Sequence, residues 1–229
     1  MINERKKFIL ETIIKEYVKT AQPVSSGVLV GKYRLDVSPA TVRNEMMELE
    51  DEGYIFQPHT SSGRVPTVAA YELAVSDLVP RKKKVLKEGE MKLLSQLFKR
   101  DEAAYKQTAK TIADLANAAV FWAFHKNDLY HTGLSNLFSQ PEFNRLDMVG
   151  DVSGTIDRLE EIIDGLFEKL PAGEQVLLGD NNPFGNFLGA VLVKYKHNNR
   201  TGMFGILGPL RMDYERNLAL VDFVKNKFA

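Results

Sequence analysis

No cysteine occurs among the 229 residues. Disulfides, thiolate nucleophiles and cysteine-ligated zinc are therefore excluded, and the composition is compatible with a reducing cytoplasm. Net charge is missing as well, since 30 Lys and Arg face 30 Asp and Glu. Dividing the chain changes little: residues 1–84 hold 13 basic and 11 acidic side chains, and the remainder holds 17 and 19. Any contact with a polyanion must rest on local placement, with Lys32, Arg34, Arg43 and Arg64 as the candidates. Long apolar runs are absent too. The longest, Ala118 to Phe124, has the length of a strand and falls far short of the roughly 20 residues of a membrane span. Glu4, Arg5, Lys6 and Lys7 are charged, with no apolar stretch behind them, so no signal peptide is expected. Histidines are few: His59, His125, His131 and His197 show no metal spacing on a helix. His125 and His131 can meet across a short hairpin, as surface residues of hairpins often do. Gly202, Gly205 and Gly208 sit in a strand and at its end, where they read as packing or turn glycines rather than a phosphate loop. No nucleophile elbow is found. The expectation is a protein that is not an enzyme and has no metal and no cofactor.

What the chain does contain is concentrated between Ser38 and Thr67. Ser38 suits a helix N-cap, because its hydroxyl accepts a bond from an orphan backbone N–H. Pro39 suits the first helical position, and Gly53 supplies the left-handed residue that ends the helix. Val42, Met46 and Leu49 form the buried stripe. Ala40, Asn44 and Met47 point the opposite way, with Thr41 and Arg43 on the flanks. A recognition helix offers such an N-terminal face to the major groove, where Arg reads guanine and Asn reads adenine. Glu48, Glu50, Asp51 and Glu52 crowd the other end and are expected to repel phosphate, leaving only the first two turns for DNA. Tyr54 to Phe56 reads as a short strand, Thr60 to Gly63 as a turn, and Arg64-Val65 as the return strand, confined to an edge by Pro66. A hairpin directly after a recognition helix is the wing of a winged helix. Arg64, near its tip, is expected to enter a minor groove or meet phosphate.

Before this stretch, Glu4 to Lys19 reads as a helix stacked through Ile9, Ile13 and Tyr17 and broken at Gln22-Pro23. Ser25 or Ser26 caps a short second helix ending near Gly31. After the wing, Thr67 caps a helix that Pro80 closes. Arg81 to Lys84 reads as a solvated linker, with a second DNA contact as its alternative, and the domain boundary is placed there: 1–80, a linker at 81–88, and 89–229.

Glu88 to Asn117 reads as one long helix, or two with a break near Lys99 to Glu102, with Leu93, Leu97, Phe98, Tyr105, Ala109 and Ile112 on the buried stripe. Strands are expected at Ala118–Phe124, Leu129–Leu134, Val176–Leu178, Leu188–Lys196 and Met203–Leu207, with a helix over Asp157–Leu170 and a closing helix from Asp213. The fold class is α+β: a winged helix-turn-helix, then an antiparallel sheet domain with flanking helices. Arg211 and Asp213 open the last helix, Asp213 as its cap and Arg211 in a structural ion pair, the alternative being a partner or anion contact.

Val24-Ser25-Ser26, Ser38 to Asn44, Gly53-Tyr54 and the long run His59 to Thr67 resemble the family of bacterial heat-inducible transcription repressors called HrcA. Gly133 to Leu137 with Gln140 to Phe143, and Gly205 to Pro209 with Arg211 to Tyr214, extend the resemblance into the second half. The resemblance implies a repressor of chaperone genes that binds double-stranded DNA at an inverted-repeat operator, CIRCE, as a homodimer in the cytoplasm. It also implies the chaperonin GroE as a partner and a GAF-like second domain. On its pattern the DNA-binding residues are Ser25, Ser26, Lys32, Ser38, Pro39, Ala40, Thr41, Arg43, Asn44, His59, Ser62, Gly63 and Arg64. Ser25 and Ser26 combine helix capping with the phosphate contact that the resemblance implies. One departure stands out: the large inserted dimerisation domain typical of the family is missing, only His125 to Asp128 joining the flanking strands. Two alternatives remain open: a winged-helix regulator of another regulon that senses a small ligand through the GAF-like domain, and a GAF-like interaction module whose DNA contact is vestigial.

Overall fold

Helix α1 (Glu4–Thr20) starts where the Asn3 side chain accepts the Lys6 amide at 2.8 Å, and it ends at Ala21 in the left-handed region (φ 52°). Ile9, Leu10 and Ile13 are fully buried, each contributing about 1.5–3 kcal/mol relative to exposure. Helix α2 (Ser26–Tyr33) is capped by Ser25 and runs two residues past Gly31, where the sequence suggested its end. Lys32 and Tyr33 in that extra half-turn both hydrogen-bond the Glu16 carboxylate of α1, which holds them helical. Helix α3 (Pro39–Asp51) has the predicted caps: Ser38 Oγ accepts the Thr41 amide at 3.1 Å, and Gly53 stands at φ 82°. Strands β1 (Ile55–Phe56) and β2 (Val65–Pro66) pair antiparallel, and a bridge between Val24 and Arg64 ties the hairpin to the entry of α2. Thr67 accepts the Ala70 amide and donates to Gly53 O and Tyr54 O, so it anchors the start of helix α4 (Val68–Leu78) to the wing base.

This computed structural model describes residues 2–78, 86–97, 102–125, 128–144, 146–197 and 200–228. It divides into two units, Met1–Pro80 and Arg81–Ala229. The expected basic linker at 81–84, the helix stop at Pro80, Phe98 and the tip at 198–199 lie outside the described residues.

The second unit opens with helices α5 (Glu88–Leu97) and α6 (Glu102–Ala116); the break expected near Lys99 falls outside the described residues. Leu94 is the buried residue of α5, whereas Leu93, expected on that stripe, is 44% exposed. The buried face of the helix is therefore centred on Leu94, with Leu97 half-buried one turn on. Strands β3 (Ala119–His125), β4 (Asp128–Thr132), β5 (Gly173–Leu177), β6 (Leu188–His197) and β7 (Arg200–Pro209) form one antiparallel sheet in the order β4-β3-β7-β6-β5. Between β4 and β5 run α7 (Leu134–Phe138), α8 (Leu146–Asp157) and α9 (Leu159–Lys169). The helical approach that the sequence suggests from Pro141 is a 3-10 turn over Pro141–Asn144, and the extent of α8 beyond it was not expected. Gly150 and Gly154 weaken its intrinsic propensity, and packing through Val152, which is 2% exposed, overrides that weakness. The last helix, α10 (Tyr214–Phe228), begins with Asp213 accepting the Arg216 amide, the predicted cap.

Successive residues of a strand face opposite sides of the sheet. Phe121 packs with Leu137, Phe143 and Ile163 on one face, while Trp122 stacks edge-on to Phe204 and donates to the Tyr195 hydroxyl at 2.7 Å. Gly205 is a packing glycine, because a Cβ there would lie 2.3 Å from the Phe121 ring. The fold is α+β, as the pattern of elements indicated.

Candidate nucleic-acid interface

The cap, the proline and the buried stripe Val42-Met46-Leu49 orient α3 so that its outer face is open. Ser38, Pro39, Ala40, Arg43, Asn44 and Met47 are exposed along it, and Thr41 is half-buried with its hydroxyl 2.9 Å from that of Ser38. Beside this face stands the wing. His59 and Ser62 close its tip: Ser62 Oγ donates to His59 O at 2.7 Å and accepts the His59 amide at 3.1 Å. Gln57 spans the loop from inside, donating to Thr60 O and Ser62 O, while its own amide donates to Glu50 of α3 at 2.8 Å. A groove of about 420 Å³ separates helix and wing, lined by Ser25, Ser26, Arg43, Met47, Gln57 and Ser62 among others.

Four sequence expectations are changed by this geometry. The acids of α3 and its cap do not all stand bare: Glu45, Glu48, Glu50 and Glu52 are paired, whereas Asp51 stays exposed. Arg5 donates to Glu45 at 2.8 Å, Lys6 bridges Glu48 and Glu52, and Arg64 pairs with Glu50 at 2.8 Å. Hydrogen bonds to Glu48 and then Glu52 hold the Lys6 ammonium well above its ordinary pKa. Arg64 is not at the wing tip. It starts the return strand at the wing base, its amide and carbonyl bonded to Val24 at 2.8 and 2.9 Å and its side chain 14% exposed against Glu50. Lys32 is committed to Glu16, whose carboxyl it holds below the ordinary range together with the Tyr33 hydroxyl. Burial and Glu16 in turn push the Tyr33 hydroxyl up to about 12. Ser26 is only 7% exposed, so the cap of α2 is Ser25 alone.

Gln57 and Glu50 were missed as organisers of the site. A polar residue three positions before a predicted turn was the only available signal for Gln57, and Glu50 stood within what read as an acidic cluster. Their arrangement predicts that Arg64 acts by positioning the wing. Arg64→Gln is expected to weaken DNA binding while leaving the slope of log affinity against log salt unchanged. A direct phosphate contact would instead lower that slope by about 0.9. Anisotropy titrations across a salt series distinguish the two.

In the second unit, Arg211 forms an ion pair with Glu142 and donates to Gln140 at 2.7 Å, and Gln140 donates to Asn117 O at 2.7 Å. The Gln140–Phe143 segment and the Arg211 turn are thus locked to each other, as the ion-pair reading expected. Among the described residues no cluster suited to a metal ion occurs, and no helix is long and apolar enough to cross a membrane.

A family model described as HrcA protein C terminal domain matches residues 79–218. The chain belongs to the HrcA family. The heat-inducible transcription repressor HrcA of Carboxydothermus hydrogenoformans is 26% identical over 98% of this chain and 96% of its own length. That alignment runs over 329 positions, 100 more than this chain has residues, so the relative carries segments that this chain lacks. The repressor of the same name from Acidothermus cellulolyticus is 56% identical over 78 residues, and that of Natranaerobius thermophilus is 52% identical over 80. Each of these two alignments spans 23% of the relative's own length. A crystal structure of a hypothetical protein matches the whole chain, and 98% of its own, with a TM-score of 0.80 at 17% identity, which supports the fold. The activity for which the matched HrcA proteins are named, transcription repression, is not enzymatic.

Proposed function

We propose that this chain represses heat-shock genes by binding, as a homodimer, an inverted-repeat operator of the CIRCE type. The observation that carries the reading is the exposed Ala40–Arg43–Asn44 face of α3 standing beside a pinned wing, in a chain of the HrcA family. Arg43 and Asn44 read base edges, the former bidentate to guanine and the latter to adenine. Ser38, Pro39, Ala40 and Thr41 bring the helix N-terminus to the groove wall, where the Ala40 N–H and the helix dipole favour phosphate. Ser25, His59, Ser62 and the Gly63 backbone line the phosphate path on either side of the groove. Lys32 and Arg64 hold α2 and the wing in place, and Ser26 completes the groove floor. The chaperonin GroE is the proposed partner on the strength of the family resemblance, and the cytoplasm is where both DNA and chaperonin are met.

An inverted repeat places two identical half-sites about a two-fold axis, so the protein must present two modules with the same symmetry. Sedimentation of the protein with an intact operator is expected to give two chains per duplex. A single chain on the intact repeat, at saturating protein, would remove the dimer from the account.

A further inference from the structure

We propose that Met47 is a further reader of the operator, packing its side chain against the C5-methyl group of a thymine in the major groove. The inference rests on the DNA-reading role of α3 given above. Met47 lies seven, four and three residues after Ala40, Arg43 and Asn44, on the same outward stripe of the helix. It is 52% exposed, although it is a large apolar side chain, and it lines the groove between helix and wing. Three of the acids that flank Met47 are paired, and exposed Asp51 lies one turn beyond it toward the helix C-terminus. Arg5, Lys6 and Arg64 pair with Glu45, Glu48 and Glu50, which offsets the repulsion those acids would exert on phosphate. Between these paired acids Met47 presents a neutral thioether chain. The thymine methyl is the apolar feature of the base edges in the major groove. An unbranched, polarisable methionine adapts to such a contact. Arg43 and Asn44 are suited to guanine and adenine, so Met47 adds a base that their hydrogen bonds do not read.

The test replaces each thymine of one half-site in turn with deoxyuridine, which lacks only the methyl group. Binding to the full chain is followed by anisotropy at fixed salt, for the wild type, Met47→Ala and Met47→Leu. Met47 is exposed and alanine is the better helix former, so the fold is retained in the first variant. One replacement is expected to cost the wild type about fourfold in affinity, the worth of one buried methyl group. Met47→Ala is expected to bind the intact operator at least about fourfold more weakly and to be indifferent to that same replacement. Met47→Leu is expected to keep the sensitivity. The proposal is overturned if Met47→Ala binds the intact operator as the wild type does, or keeps the wild type's response to every replacement. Wild-type protein that binds the operator no better than a scrambled duplex overturns the reading of α3 itself. That outcome is distinct from the others, in which specific binding survives.

Discussion

Alanine at Arg43 or at Asn44 is expected to cut operator affinity by about 5- to 150-fold, the equivalent of roughly 1–3 kcal/mol for one bidentate base contact. Both side chains are exposed on α3, Asn44 opposite the buried stripe and Arg43 on its flank, so neither change creates a cavity or strands a buried polar group. Thermal stability should therefore move by less than about 0.5 kcal/mol, as for ordinary surface substitutions. The two variants should also differ in kind. Arg43→Ala removes a charge that attracts phosphate and lowers affinity for a scrambled duplex as well. Asn44→Ala removes only a hydrogen-bonding group, so its loss should be confined to the operator. Because the residues are adjacent, their effects are not expected to add. Parallel anisotropy titrations of operator and scrambled duplex measure both losses, and unchanged binding by both variants would end the base-reading assignment.

Valine at Gly63 is expected to detach the wing. A Cβ at this position would lie 2.4 and 2.5 Å from the carbonyl carbon and oxygen of Val24 and 2.7 Å from the carbonyl carbon of Pro23. These are backbone atoms at the entry of α2, bonded to Arg64 through both its amide and its carbonyl, so no rotamer change relieves the clash. Overpacking of this kind costs about 1–3 kcal/mol. The loss is local, and hydrogen exchange of the whole chain is the apt measurement. The Val24 and Arg64 amides, which close the bridge, should exchange about 5- to 150-fold faster, while those of the second unit stay as they are. Operator affinity should fall in the same variant, because the groove between wing and α3 is no longer held. Unchanged protection at Val24 and Arg64 would show that the wing accommodates the side chain.

The difference between Gly63 and Gly53 shows what the sequence makes legible. Gly53 ends a helix whose cap, proline and stripe are all local, so its left-handed conformation follows from the chain around it. Gly63 reads as a turn glycine, yet its requirement comes from Pro23 and Val24, some forty residues earlier. The site divides along the same line. The outward face of α3, the capping by Ser25 and Ser38 and the position of the wing hairpin follow from neighbours within one or two turns. The partners of Arg64, Lys32 and the α3 acids do not, because Glu45 meets Arg5 at a separation of 40 residues and Lys32 meets Glu16 on another helix. A sequence shows that acids and bases balance, not which pairs they form. In the second unit the strand order β4-β3-β7-β6-β5 lies beyond local reading for the same reason, although the individual strands were visible in their apolar runs. The extent of helix α8 escaped notice because its two glycines argue against a helix that packing imposes.

The balance of charge also explains how a chain with no net charge can serve a DNA-binding role. Pairing Arg5, Lys6 and Arg64 with the acids of α3 leaves the helix N-terminus and Arg43 to set the local field at the groove. Affinity should then owe less to bulk attraction than to matched contacts in two symmetric modules.

That claim is tested most directly by fluorescence anisotropy of the purified full chain at near-physiological salt, with an intact inverted repeat, a single half-site and a scrambled duplex. The account predicts tight binding to the intact repeat, much weaker binding to the half-site and the weakest to the scrambled duplex. Equal, weak and strongly salt-sensitive binding to all three would mean phosphate attraction without readout, and would contradict it.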